Sequence, residues 1–377
     1  MSTHSVIAAN LARLRADRGM SQEELAQAAK ISRVSLSKIE RGAVVPRSKT
    51  LTDLAKALNA SLRDLVTAVD VVPNVRFRAD KRVNNREQIL AEVSAWLAAY
   101  RWLESELDDK ETFKLLSLVG QYTDPVVLAQ KARAKLGLGE KEPVRDICGL
   151  LEDNGVKVLL LKKATDAFFG LSVGPNDGGP AVVVNTWDRI SVERWIFTAA
   201  HELGHILLHK EAFDCRKAEE AEQEEREADL FASNFLMPEA GFDEEWQQTY
   251  GLPFLQRVLK VKRIYRVSYK TVLYRLKASG NEDESVWKVF QVQHRMRFGK
   301  TLKKIDEPDR LEAGEFRFQW PRAGEPDGLS ESDFLQDRLH RLVRIAFDRG
   351  AVSMGRAAEL LRISRDDMRE LAASWAG

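Results

Sequence analysis

Phe197-Thr198-Ala199-Ala200-His201-Glu202-Leu203-Gly204-His205-Ile206-Leu207-Leu208 is the stretch on which the fold of this chain turns. His201 and His205 lie four apart in a helical pattern, so one turn, about 6 Å of rise, separates them on one face. Two imidazoles placed this way can grip one Zn²⁺ at about 2.0–2.1 Å each. Glu202 falls beside such a metal rather than on it, where it can take a proton from an activated water and pass it to a leaving amine. Gly204 suits a helix pressed closely against a neighbour. The apolar runs Trp195-Ile196-Phe197 and Ile206-Leu207-Leu208 would bury the remaining faces.

A catalytic zinc needs a third protein ligand and an open position. The next helical segment holds Glu224-Glu225-Arg226-Glu227-Ala228-Asp229. Glu225 and Asp229 are also one turn apart. Glu225 is the best ligand candidate, with Asp229 holding a ligand histidine from behind. Glu224 and Glu227 are its rivals, and Glu227 points about 200° away from Glu225 on an ideal helix. His209, about 12 Å along the axis from His201, lies too far for the same metal and is expected to cap the helix or support a ligand. Cys215 falls between the two ligand segments. Its thiolate would exclude water if it reached the open position, making it an inhibitory ligand; a small buried side chain is the plainer reading.

Working outward, the period changes. Val156 to Leu161, Ala167 to Val173 and Ala181 to Asn185 read as three strands, the last two separated by the turn-rich Gly174 to Pro180. Helices are expected at Pro125–Leu136, Pro143–Glu152, Ser191–His209, Glu219–Leu236 and across Leu252–Ala278. Residues 85–107 form a long amphipathic helix with Ile89, Val93, Trp96, Leu97, Tyr100 and Leu103 on one side. Residues 70–84 are mixed and basic and read as a linker. Residues 280–330, rich in Glu, Asp, Pro and Gly, give no clear pattern, and helix returns from Asp333 onward.

The first 69 residues give five short helices. Ser21 with Glu24 forms a capping box, Lys30-Ile31-Ser32 makes a tight turn, and Gly42 ends the helix that begins at Arg33. The C-terminus repeats this spacing: Ser353 maps to Ser21, Ala358 to Ala26, and Ile363-Ser364-Arg365 to Ile31-Ser32-Arg33. Asp366, Asp367 and Glu370 put acid where a DNA-reading helix would need base, so packing or dimerisation suits this second unit better.

The 377 residues allow two or three domains. A net charge of +1 gives no overall bias toward polyanions, although bases outnumber acids in the first 69 residues. Two cysteines, Cys148 and Cys215, imply no disulfide framework and suit a reducing compartment. No stretch has the roughly 20 apolar residues a membrane helix needs. A cytoplasmic protein with no membrane partner is expected.

Two resemblances rest on these residues. Ser21 to Ala26 through Ser37 to Gly42 resembles the Xre/lambda-repressor type of helix-turn-helix domain. That resemblance implies operator DNA as a partner, Arg33, Ser35 and Lys38 as base readers, Gln22 and Arg41 near phosphates, and a homodimer. Pro143 to Val158, Asn185, Phe197 to His205, Ala228 to Pro238 and Val267 to Leu276 resemble the ImmA/IrrE metallopeptidases. This implies a gluzincin-type zinc site with His201, His205 and Glu225 as ligands and Glu202 as base; Mn²⁺ or Fe²⁺ would also suit the donors. Tyr265 and Tyr269 are candidates for stabilising an oxyanion.

The expected fold is multidomain, mainly α with an α+β part. It comprises a helix-turn-helix head (1–69), a linker and connecting helices (70–124), a zinc peptidase domain with a small β-sheet (125–280), and a helical C-terminal domain ending in a helix-turn-helix-like unit (281–377). The expected function is regulatory: an endopeptidase that cuts a partner protein, a helix-turn-helix repressor, in a stress response. The alternatives are a regulator using the zinc fold as a sensor, and an antitoxin-like or phage-related binding protein.

Overall fold

The structure, a computed structural model, describes residues 3–18, 20–58, 60, 62–66, 75–79, 86–165, 167–209, 222–278, 285–303, 305–312, 314 and 325–375. The chain divides into two compact units, one of residues 1–72 and 83–102, the other of residues 73–82 and 103–377.

The first unit begins with five helices: α1 (Thr3–Asp17), α2 (Gln22–Ala28), α3 (Arg33–Glu40), α4 (Ser48–Ala57) and α5 (Leu62–Val66). The expected capping box is present, with the Ser21 side chain accepting from the Glu24 N–H and the Glu24 carboxylate accepting from the Ser21 N–H. Lys30 takes a left-handed conformation (φ 54°) in the turn between α2 and α3. Leu11, Leu25, Leu36, Leu54, Leu58 and Leu65 are wholly buried and form the common core. A glutamate in α3 ties the helices together: Glu40 accepts from Arg15 of α1 (2.6 Å) and from Gln22 of α2 (2.6 Å).

In the second unit four strands form one mixed sheet. In chain order these are β1 (Val75–Ala79), β2 (Lys157–Leu161), β3 (Phe168–Val173) and β4 (Ala181–Asn185), and in space they run β1-β3-β4-β2. β2 lies parallel to β4, whereas β3 is antiparallel to both β4 and β1. The last three strands are apolar on both faces, as a sheet covered on both sides requires. β1 lies where the sequence suggested only a linker. Five residues with arginine at alternate positions give little strand signal, and the ladder that makes them a strand comes from β3, some ninety residues away.

The remaining helices are α6 (Arg86–Leu107), α7 (Pro125–Lys135), α8 (Ile147–Glu152), α9 (Val192–Leu208), α10 (Glu222–Leu236), α11 (Glu239–Gln248), α12 (Phe254–Tyr265), α13 (Tyr269–Ala278), α14 (Val286–Phe298), α15 (Arg338–Asp348), α16 (Met354–Leu361) and α17 (Arg365–Trp375). α8 starts later than its sequence pattern suggests, because Asp146 turns its carboxylate onto the Gly149 N–H and caps the helix there. The Leu252–Ala278 stretch is broken in two by Arg266, which is left-handed at φ 56°. The polar 280–330 region contains α14, which the sequence did not reveal.

The C-terminal echo is real in geometry. Arg362 is left-handed (φ 61°) at the position matching Lys30, and the Asp367 N–H donates to Ser364 Oγ (3.0 Å) as the Ser35 N–H does to Ser32 Oγ (3.1 Å). Asp366, Asp367 and Glu370 are all exposed on α17.

Buried charges anchor this tail. Arg338 is 4% exposed and donates to Glu104 Oε1 (2.7 Å) and Asp109 Oδ1 (3.0 Å), while Lys157 pairs with Glu104 Oε2 (3.1 Å). Glu152 Oε2 accepts the N–H groups of Asp337 and Arg338 at 2.9 and 3.0 Å, at the start of α15. Burial pushes the Glu152 carboxyl up from 4.5 to about 6, against the pull of those N–H groups. Between these values the folded chain holds this proton more readily than the unfolded chain. The contribution of Glu152 to stability therefore falls by about 2 kcal/mol as pH rises through that window. Thermal unfolding of wild type and Glu152→Gln at pH 4.5 and 7 should show the wild type gaining on the variant toward acid; a constant gap would contradict this.

Candidate metal centre

Helix α9 is buried on nearly every side. Ser191 caps its start by accepting from the Arg194 N–H (3.3 Å), and His201, Glu202 and His205 are each 0% exposed. A helix this apolar must be enclosed, and its neighbour α10 lies directly against it. Gly204 makes the close approach possible: a Cβ there would sit 2.9 Å from Phe231 Cδ1 and 3.4 Å from Ala228 Cα. The far end of α10 is fixed by two buried arginines. Arg133 donates to the Phe235 carbonyl (2.7 Å), and Arg275 donates to Asn234 Oδ1 (2.6 Å) and to the Met237 carbonyl. These bonds satisfy carbonyls that the helix end leaves open.

This packing brings His201, His205 and Glu225 together, one ligand atom from each lying within 4.8 Å of the others. The two Nε2 atoms are 2.8 Å apart, and Glu225 reaches both, Oε2 to His201 at 3.2 Å and Oε1 to His205 at 3.0 Å. Burial works to raise the Glu225 carboxyl, but while no cation is bound the protonated His201 and His205 rings donate to it from Nε2, which outweighs burial and holds the group well below the usual carboxylate range. It is ionised, as a ligand must be. Its side chain is 20% exposed, which leaves the cluster open on that side.

The groups behind the ligands decide where the ring protons sit. His201 Nδ1 lies 2.8 Å from Asp229 Oδ1, so in the neutral ring, the form that takes a cation, Nδ1 keeps the hydrogen and Nε2 offers a lone pair. His205 is set by a longer relay. Glu227 Oε2 accepts from His209 Nε2 (2.9 Å), which leaves His209 Nδ1 to accept from His205 Nδ1 (2.9 Å) and turns a second lone pair inward. Two imidazole lone pairs and a carboxylate converging on one point are the donor set for a divalent cation, and the relays match the outer support such ligands need. The residues fit a metal.

Glu202 lies outside the donor set, as its place one residue beyond His201 implies. It sits under the sheet: a Cβ on Gly170 of β3 would be 2.9 Å from Glu202 Oε1 and 2.5 Å from Thr198 Cγ2. Glycine at this position lets β3 run directly across the metal helix.

His209 is both the C-cap residue of α9 and the support of His205, so the two roles weighed for it are combined. Glu227 lies outside the cluster of His201, His205 and Glu225 and ends the His209 relay instead, a placement sequence reasoning missed. Tyr265 and Tyr269 serve packing: a Cβ on Gly241 would be 2.6 Å from the Tyr265 hydroxyl, and Tyr269 stacks on Phe290 at 4.8 Å between ring centroids. Asn185 is a brace, accepting from the Lys163 N–H and donating to the carbonyls of Lys163, Thr165 and Phe168. Cys215 lies outside the described residues. In the first unit, Arg33, Ser35 and Lys38 are exposed on α3, Arg41 is exposed with its guanidinium on Ser37 Oγ (2.9 Å), and Gln22 is half-buried against Glu40.

A helical head, and in a separate unit a pair of helices that carries a candidate metal site under a small sheet, mark a helix-turn-helix regulator with an appended domain. Residues 11–65 match the helix-turn-helix family, and residues 151–277 match the IrrE N-terminal-like domain. The chain belongs to the Xre-type helix-turn-helix regulators and carries an IrrE-like domain behind that head. An uncharacterized HTH-type transcriptional regulator of Sinorhizobium fredii is 40% identical over 73 residues, which is 19% of this chain and 95% of that protein. The clp gene regulator ClgR of Corynebacterium glutamicum is 35% identical over 17% of this chain and 84% of its own, with a TM-score of 0.17. The apo form of ComR from S. thermophilus is 16% identical over 76% of this chain and 77% of its own, with a TM-score of 0.16. Overlays that poor carry no argument about architecture. Among the described residues no helix is long and apolar enough to cross a membrane.

Proposed function

We propose that this protein is a regulatory metalloendopeptidase that reads an operator through its head and hydrolyses a peptide bond in a partner helix-turn-helix repressor. The observation that carries the reading is the convergence of His201, His205 and Glu225, with Glu202 buried on the same helix. A Zn²⁺ held there would act as a Lewis acid and make water a nucleophile near neutral pH. Asp229 and the His209–Glu227 relay hold both ligand rings in the tautomer that binds a cation. Glu202 takes the proton from the attacking water and delivers it to the departing amine nitrogen. The exposed Arg33, Ser35 and Lys38 on α3 supply the base contacts, with Gln22 oriented by Glu40 and Arg41 near the phosphates.

The partner follows from the fusion, since a general-purpose protease gains nothing from a DNA reader. The test is incubation of the zinc-loaded full-length protein with each helix-turn-helix repressor of the same genome, with product masses measured. One discrete cut in one or a few of them is expected. Intact partners throughout, at full metal occupancy, would overturn the peptidase reading and leave a zinc-dependent sensor.

A further inference from the structure

The core of the sheet has one edge beside the metal helix, and this chain covers it with a piece of itself. β3 lies between β4 and β1, and β2 closes the sheet beyond β4. Gly170 is the point of β3 where an added Cβ would sit 2.9 Å from Glu202 Oε1, and its cross-strand partners are Val184 of β4 and Arg78 of β1. The backbone at Arg78 is thus one strand spacing, about 4.8 Å, from the residue that roofs Glu202. The ladder slips by one residue beside that point, between Arg78 and Ala79. Such irregularities gather beside active sites, where they re-aim the strand.

An edge strand presents a row of N–H and C=O groups that any extended peptide can pair with. A peptide held in that way would lie stretched alongside the metal cluster with its peptide bonds aligned. β1 already has this antiparallel arrangement, from Val75 opposite Val173 to Ala79 opposite Phe168. We propose that the outer edge of β3 is the peptide-binding edge of the site and that the segment Val75–Ala79 is its built-in competitor, which a substrate strand must displace. This rests on the peptidase reading of the domain. It gives the segment Val75–Ala79 a task beyond spacing: it keeps the site closed to extended peptides until it is drawn away.

The test is binding rather than cleavage, with Glu202→Gln in every protein so that no turnover enters. The probe is a fluorescein-labelled peptide of residues 73–82, added to the zinc-loaded full-length chain. Arg76→Pro with Phe77→Pro breaks β1: neighbouring strand residues alternate in facing their partner, so one of the two prolines removes an amide that β3 needs. Replacing residues 75–79 by five glycines is the second variant, which weakens the strand without introducing a proline. Both should bind the peptide at least about tenfold more tightly than the parent, because the parent's edge is open for only a fraction of the time. Exchange of those amides within Gly170–Val173 that face β1 should be slow in the parent, fast in the variants and slow again with peptide. Equal affinity for parent and variants, or no binding by either variant while zinc is retained, would overturn the proposal. A failure of the peptidase reading would appear instead as absent cleavage by proteins that carry Glu202.

Discussion

Glu202→Gln is expected to bind zinc as the wild type does and to lose about 10²–10⁴-fold in the cleavage rate of the partner repressor. The two halves of that expectation come from different parts of the site. In the proposed centre His201, His205 and Glu225 would hold the metal, with His201 oriented by Asp229 and His205 by His209, and Glu202 belongs to none of those pairings. Glutamine keeps the shape that fits under Gly170, so the space beneath β3 is preserved. It cannot accept the proton from water, so the step that makes the nucleophile is lost. Metal content and initial rates measured on the same preparations check both halves. A variant that cleaves normally would remove Glu202 from the chemistry, and one that loses zinc would make it a ligand.

Lys262→Met should cost the second unit about 3–5 kcal/mol, through charges rather than volume. Lys262 is 0% exposed and bonds Glu193 Oε1 (2.8 Å) and Glu307 Oε2 (2.9 Å). Arg263 adds bonds to Glu193 (2.6 Å) and Glu325 (2.9 Å), and Glu325 also accepts the Leu311 N–H (2.7 Å). Glu193 opens α9, so this network clamps the start of the metal helix to α12 and to the acidic segment after α14. Without the ammonium, Glu193 keeps Arg263, but Glu307 is left beside it with no cation of its own from this pair. Calorimetry should show the unfolding midpoint of this unit falling by on the order of 10 °C. Adding Glu307→Gln to the variant should recover part of the loss. A change below about 1 kcal/mol would show that the network is already screened.

The pattern of what the sequence reveals follows the range of the interactions involved. The meeting of His201 and His205 with Glu225 rather than Glu227, and the bond from Asp229 to His201, follow from helical spacing within a few turns. The capping box at Ser21 and its echo at Ser353 are equally local. Glu227 was read only as a weak rival ligand; its bond to His209 depends on how α9 and α10 are rotated against each other, which spacing within one helix cannot give. The strand Val75–Ala79 is invisible because its partner is β3. Among the described residues of 280–330, α14 does bury Val286 and Phe290 in the core of the second unit, but that short stripe is hidden in a polar composition, and the segment after it is held by ion pairs of Glu307 and Glu325 with Lys262 and Arg263, which composition does not reveal. At α8, Asp146 looked like one more helical residue, and only its bond to the Gly149 N–H shows where the helix begins.

The most direct test of the metal-centre account is a zinc-buffered titration of the full-length protein beside Glu225→Ala. One Zn²⁺ per wild-type chain is predicted, with affinity falling at least about 100-fold in the variant, beyond the 10–100-fold that loss of an outer partner such as Asp229 brings. A wild type that retains no zinc, or a Glu225→Ala variant that binds it equally well, would contradict the assignment of His201, His205 and Glu225 as one metal centre.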